Sequence, residues 1–72
     1  MVLTISEKIR LLLRRRHKTV AWLAEAMGFS RQYVTTKLRK NDFSVAELQL
    51  IAEKMGYDFE AVFIDWENGE RF

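Results

Sequence analysis

The sequence predicts a small, mainly α-helical domain, and three observations predict it. Apolar residues recur at a spacing near 3.6 through most of the chain. Thr4, Thr19, Ser30 and Ser44 punctuate that rhythm, and hydroxyl side chains of this kind accept hydrogen bonds from the first free N–H groups of a helix. The 72 residues contain no proline and only three glycines, which leaves little material for long irregular loops. The expected architecture is a bundle of four short helices, with a C-terminal β-strand or short hairpin. A fifth short helix is the alternative for that last segment.

Thr4-Ile-Ser-Glu7 has the form of a capping box, in which the Thr hydroxyl accepts from the third helical N–H and the Glu reaches back. Behind it Ile5, Ile9, Leu12 and Leu13 share one face, and the helix fades near Arg16-His17. Thr19 caps a second helix with Val20, Leu23, Ala24 and Met27 on its apolar side. Gly28 ends it, because the residue after a helix often needs positive φ and glycine takes that without strain. After Phe29, Ser30 caps a third helix running from Arg31 to about Lys40. A second capping box, Ser44-Val-Ala-Glu47, opens a fourth with Leu48, Ile51, Ala52 and Met55 in register, and Gly56 closes it.

The tail reads two ways. Phe59, Val62, Phe63 and Trp66 fit one helical face with Asp58 as cap. Phe59, Ala61 and Phe63 also alternate with Glu60, Val62 and Ile64, as in a strand, and Asn68-Gly69 is a hairpin-turn signal. The turn and the β-branched and aromatic content favour a strand over 58–65. A strand needs a partner for its backbone groups, and only three residues follow the turn. A symmetry-related strand of a second copy would supply one, which makes Phe59, Phe63, Ile64 and Trp66 candidates for a dimer interface. Phe63, Trp66 and Phe72 exceed what a four-helix core needs, and core closure and a subunit seam are the two uses for them. Residues 1–57 are thus the expected functional domain and 58–72 a tail.

Charge is distributed unevenly. Residues 1–41 carry ten Lys/Arg against two acids, a balance of +8, while residues 42–72 carry two bases against eight acids, a balance of −6. One end therefore attracts polyanions and the other repels them. No cysteine is present, so neither a disulfide scaffold nor a thiolate zinc site exists. The single histidine, His17, lies in the basic run Arg14-Arg15-Arg16-His17-Lys18 and reads as a solvated neighbour of a helix end, not a metal ligand. That run serves equally as the favourable cationic end of a helix dipole or as a set of flanking phosphate contacts. With no cysteine, a single histidine in a basic run, no glycine-rich phosphate loop and the acids gathered toward the other end, the chain is not expected to be an enzyme or to need a cofactor. No apolar run approaches the roughly 20 residues of a membrane span, and the segment from Met1 lacks a secretory pattern. No membrane association is expected.

Thr19 to Leu38 is the informative stretch. Ala24 permits a close helix crossing, Gly28 makes the turn, and Leu23, Phe29 and Val34 are placed to fill the wedge between the two helices. Through Leu23-Ala24, Gly28, Phe29-Ser30, Arg31-Gln32 and Val34 the segment resembles the helix-turn-helix of the Cro/lambda-repressor-like proteins, the XRE family. With the order and length of the helices, the resemblance extends over about residues 4–56. Thr19-Val20 stand where that family often has a glutamine, so no base contact carries over at that point. The resemblance implies a cytoplasmic prokaryotic or phage-type transcription regulator, a repressor, that binds double-stranded DNA as a dimer.

The third helix supports that expectation independently. At about 100° per residue, Val34 and Leu38 point toward the core. Gln32, Thr35, Thr36 and Arg39 fall within roughly a 100° arc elsewhere, with Arg31 and Lys40 at its margins. Arg suits guanine, Gln suits adenine, and a Thr methyl suits the thymine methyl, so Arg31, Gln32, Thr35, Thr36 and Arg39 are the candidate base-reading residues. No acid occurs from Ala26 to Asn41 to oppose phosphate. Lys18, Thr19, Ser30, Tyr33, Lys37, Lys40 and Asn41 are the candidate phosphate contacts around the rim. Trp22 lies beside the apolar stripe, and core packing, contact with the tail and a subunit seam all suit it. The other function class is a protein-interaction module, such as an antitoxin or anti-regulator, that uses the acidic, aromatic tail to bind another protein.

Overall fold

The computed structural model describes residues 3–72, so the first two positions of the segment read for a leader lie outside the described residues. Four helices follow in order: α1 (Ile5–Arg15), α2 (Val20–Met27), α3 (Arg31–Lys40) and α4 (Val45–Met55). Every helix start is capped as its sequence dictates. Thr4, Thr19, Ser30 and Ser44 each accept from the third helical N–H, at 3.1 Å in all four cases. Thr4–Glu7 and Ser44–Glu47 complete reciprocal capping boxes. The helix ends share one device as well. His17, Gly28, Asn41 and Gly56 adopt φ of 56°, 80°, 55° and 79°, which lets their own N–H and that of the following residue turn back onto the last carbonyls. Two of those four positions are occupied by side chains that tolerate the left-handed region less well than glycine.

The core gathers Ile9 and Leu13 of α1, Leu23, Ala24 and Met27 of α2, Val34 and Leu38 of α3, and Ile51 and Met55 of α4. Leu23 and Val34 are fully enclosed, so the helix-turn-helix pair closes on itself through these two side chains. Phe29, expected in the same wedge, lies instead at the surface with 39% exposure and stacks on Tyr33 with ring centroids 4.7 Å apart. The cause is local. Gly28 in the left-handed conformation turns the chain outward just before Phe29, and Leu23 with Val34 already fill the space. Trp22 is half-buried against the core, with the Lys18 ammonium 5.1 Å from its ring centroid.

A polar bolt joins the first and third helices. Asn41 Oδ1 accepts the Ser6 N–H at 2.9 Å, and the buried Ser6 hydroxyl donates to the Leu38 carbonyl at 2.6 Å. Ser6 is the second residue of α1, so its N–H has no partner inside the helix and Asn41 supplies one. A second link packs the Arg16 guanidinium over the Tyr57 ring, 4.6 Å from the centroid, where the chain leaves α4.

The tail differs from the expected strand. Among the described residues no strand forms over 58–65, nor does a fifth helix. One isolated antiparallel bridge pairs Ile64 with Arg71, closed by reciprocal Phe63–Phe72 backbone bonds of 2.9 Å around a turn with Gly69 at φ 72°. With three residues beyond the turn, the ladder has nothing more to pair with inside the chain. Phe59 is half-buried and joins Ile5, Ile9, Leu12, Leu48 and Ile51 around an apolar groove between α1 and α4. Phe63, Trp66 and Phe72 do not close the core: they are 82%, 100% and 70% exposed. The Arg71–Glu60 pair that straddles the tail, at 3.1 Å, is solvent-exposed and contributes little. Among the described residues no helix is long and apolar enough to cross a membrane.

Candidate nucleic-acid interface

α3 buries only Val34 and Leu38, and its other residues decide what the molecule presents. Arg31, Gln32, Thr35, Thr36 and Arg39 line one shallow, open surface. Four of them are exposed and Thr36 is half-buried. Among the described residues none of the five side chains makes a hydrogen bond or ion pair within the chain. Their donors, acceptors and methyl groups are therefore free to meet another molecule, with no internal bond to break first. The helical spacing brings the five together, and the tertiary fold leaves them uncovered.

The rim residues divide into free and committed groups. Ser30, Gln32, Tyr33, Thr36, Lys37 and Lys40 border an adjoining depression together with Asp42. Lys40 is exposed and unpaired among the described residues. Thr19 and Ser30 each spend a lone pair on a helix cap, which leaves the hydroxyl proton available to a phosphate oxygen. Tyr33 and Lys37 are engaged by the acidic side of the molecule. The Tyr33 hydroxyl donates to Glu47 Oε2 at 2.7 Å, and Lys37 Nζ stands 4.0 Å from Glu47 and 4.0 Å from Asp42. Asn41 holds α1 through its Oδ1, so its structural duty is already assigned.

Glu47 is the residue that sequence reasoning assigned to a cap alone. Its carboxyl is held below the usual carboxylate range, first by the Ser44 N–H and then by the Tyr33 hydroxyl, while the same bond raises the Tyr33 phenol above its ordinary value. Thr4's N–H does the same for Glu7. Both carboxyls are more acidic folded than unfolded, so their contribution is complete above the unfolded value near 4.3 and is lost as pH falls through the lower folded values. We expect the melting temperature to drop below about pH 4.3, with a shallower drop in Glu47→Gln. Thermal melts followed by circular dichroism between pH 2.5 and 7 check it, and parallel curves would refute it.

A further cationic surface adjoins the start of α2. Arg10, Arg14 and Lys18 line it with Leu13, Thr19 and Val20. Their i, i+4, i+8 spacing was the available signal for Arg10 and Arg14. Of the basic run, Arg16 is spent on Tyr57 and His17 on the helix turn. Among the described residues no three His, Asp or Glu side chains gather as metal ligands. Comparison with protein-family models, characterised proteins and solved structures finds no match to this chain.

Proposed function

We propose that this chain is a sequence-specific double-stranded DNA-binding transcription regulator, a repressor of the Cro/lambda-repressor-like kind, acting as a dimer with α3 in the major groove. The observation that carries it is the open surface of Arg31, Gln32, Thr35, Thr36 and Arg39, uncovered by the other described residues and free of acids. Its chemistry matches the donor, acceptor and methyl pattern of base edges in that groove. Lys18, Thr19, Ser30 and Lys40 flank it as phosphate contacts that fix register without reading sequence. A single helix makes few contacts, and a two-fold pair placing α3 in successive grooves about 34 Å apart multiplies them. The exposure of Phe63, Ile64, Trp66 and Phe72 supports a covered tail in the working assembly. No catalytic role is proposed.

Selection of sites from a random-duplex pool with the intact chain tests the reading. We expect an enriched palindrome with half-sites about one helical turn apart; a pool that stays random would sink it. Lys40→Ala is expected to weaken all duplexes alike and to lower the salt slope by about 1. A loss confined to the selected site would reassign that residue to base reading.

The same tail favours a second reading as a protein-interaction module, because Glu60, Asp65, Glu67 and Glu70 interleave with its exposed aromatics. The combined change Phe63→Ser, Trp66→Ser separates the two. Under the first reading sedimentation shifts from dimer to monomer and affinity for the selected site falls. Under the second, oligomeric state and duplex binding are unmoved.

A further inference from the structure

We infer that Glu47 is an affinity-limiting residue for nucleic acid: it occupies the two rim groups of α3, Tyr33 and Lys37, that would otherwise face a phosphate. The inference rests on the DNA-binding reading above and adds a residue on α4, outside the helix that reads bases. Its basis is a constellation of four side chains. Tyr33, stacked on Phe29, directs its hydroxyl to Glu47 Oε2 at 2.7 Å. Lys37 Nζ lies 5.5 Å from the Tyr33 ring centroid and 4.0 Å from the other Glu47 oxygen. Glu47 itself is locked in place, since Oε1 also accepts the Ser44 N–H at 2.9 Å.

The chemistry follows from counting protons and charges. A phenol has one O–H, and while Glu47 accepts it Tyr33 cannot donate to a phosphate oxygen. Any phosphate that did reach Tyr33 or Lys37 would approach an anionic carboxylate held a few ångströms away. At that separation, in a partly screened setting, like charges oppose one another by a sizeable fraction of a phosphate contact. Binding that depends on phosphates alone is thereby weakened, whereas the five base-facing side chains, which touch no acid, are spared. The residue acts through Tyr33 and Lys37 and makes no contact with the duplex itself.

Glu47→Gln removes the charge and keeps the cap, because glutamine serves at this position of a capping box. Binding of the selected duplex and of a random duplex by the full-length variant is measured across a salt series, alongside its melting temperature. We expect both duplexes to bind about fivefold tighter near 0.15 M salt, and the salt slope to steepen by about 1, the signature of one added phosphate contact. Asp42→Asn should show a smaller change, since that carboxylate is 70% exposed and screened by water. A Glu47→Gln variant that melts normally but binds with the wild-type affinity and slope would overturn the inference. So would equal gains in both variants. A wild-type chain that binds neither duplex overturns the DNA-binding reading instead, so the two failures are distinguishable.

Discussion

Replacing Arg39 and Gln32 together with alanine is expected to cost about 2–6 kcal/mol of affinity for the selected duplex, and far less for a scrambled one. Each side chain reaches from the open face of α3, and each can make two parallel bonds to a base edge, arginine to guanine and glutamine to adenine. One such pair is worth about 1–3 kcal/mol of discrimination. The two residues lie seven apart, about 10 Å along the helix axis, so their losses should add. Both are exposed and unbonded among the described residues, so folding should change by less than about 0.5 kcal/mol. Arg39→Lys sharpens the test: it keeps the charge and loses the planar fork. Binding to the random duplex should survive while preference for the selected site drops. Equal losses on selected and scrambled duplexes would show that α3 supplies charge and no reading.

Outside the apolar core, a large single-residue effect on stability is expected at Asn41, where alanine should destabilise the domain by about 2–4 kcal/mol. Two costs combine there. The Ser6 N–H, partly buried at the start of α1, loses its acceptor. The backbone at φ 55° must also hold alanine, which enters the left-handed region less readily than asparagine does. Asn41→Gly separates them, since glycine relieves the backbone and leaves only the missing bond, about 1–2 kcal/mol. For a domain of this size 1 kcal/mol moves the melting point by about 4–8 °C, so alanine should lower it by about 8 °C or more and glycine by roughly half as much. Thermal melts of the two variants decide the matter. If alanine and glycine melt together, the strain component is absent; if both match wild type, the bolt between α1 and α3 does nothing.

The consequence for function is indirect but concrete. Leu38 and Asn41, at the end of α3, carry both halves of that bolt. The hold of α1 on the end of α3 therefore depends on a residue that, on sequence grounds, belonged with Lys40 among the phosphate contacts. Asn41→Ala should disturb duplex binding only through the folded population, and binding at a temperature well below the melt should recover.

Much of the molecule was legible in the residues alone, and all of it was local. The four caps, the two capping boxes, the turns at Gly28 and Gly56 and the face shared by Arg31, Gln32, Thr35, Thr36 and Arg39 depend on groups within a few positions of one another. A helix repeats every 3.6 residues, so spacing carries that information directly. What folding in three dimensions decided joins residues far apart in the chain: Ser6 with Asn41, Arg16 with Tyr57, Tyr33 with Glu47. It also turned Phe29 outward and left Phe63 and Trp66 in solvent. Periodicity says which side of a helix is apolar but not which neighbour arrives there first, and a tail too short to pair with itself has no local rule to obey.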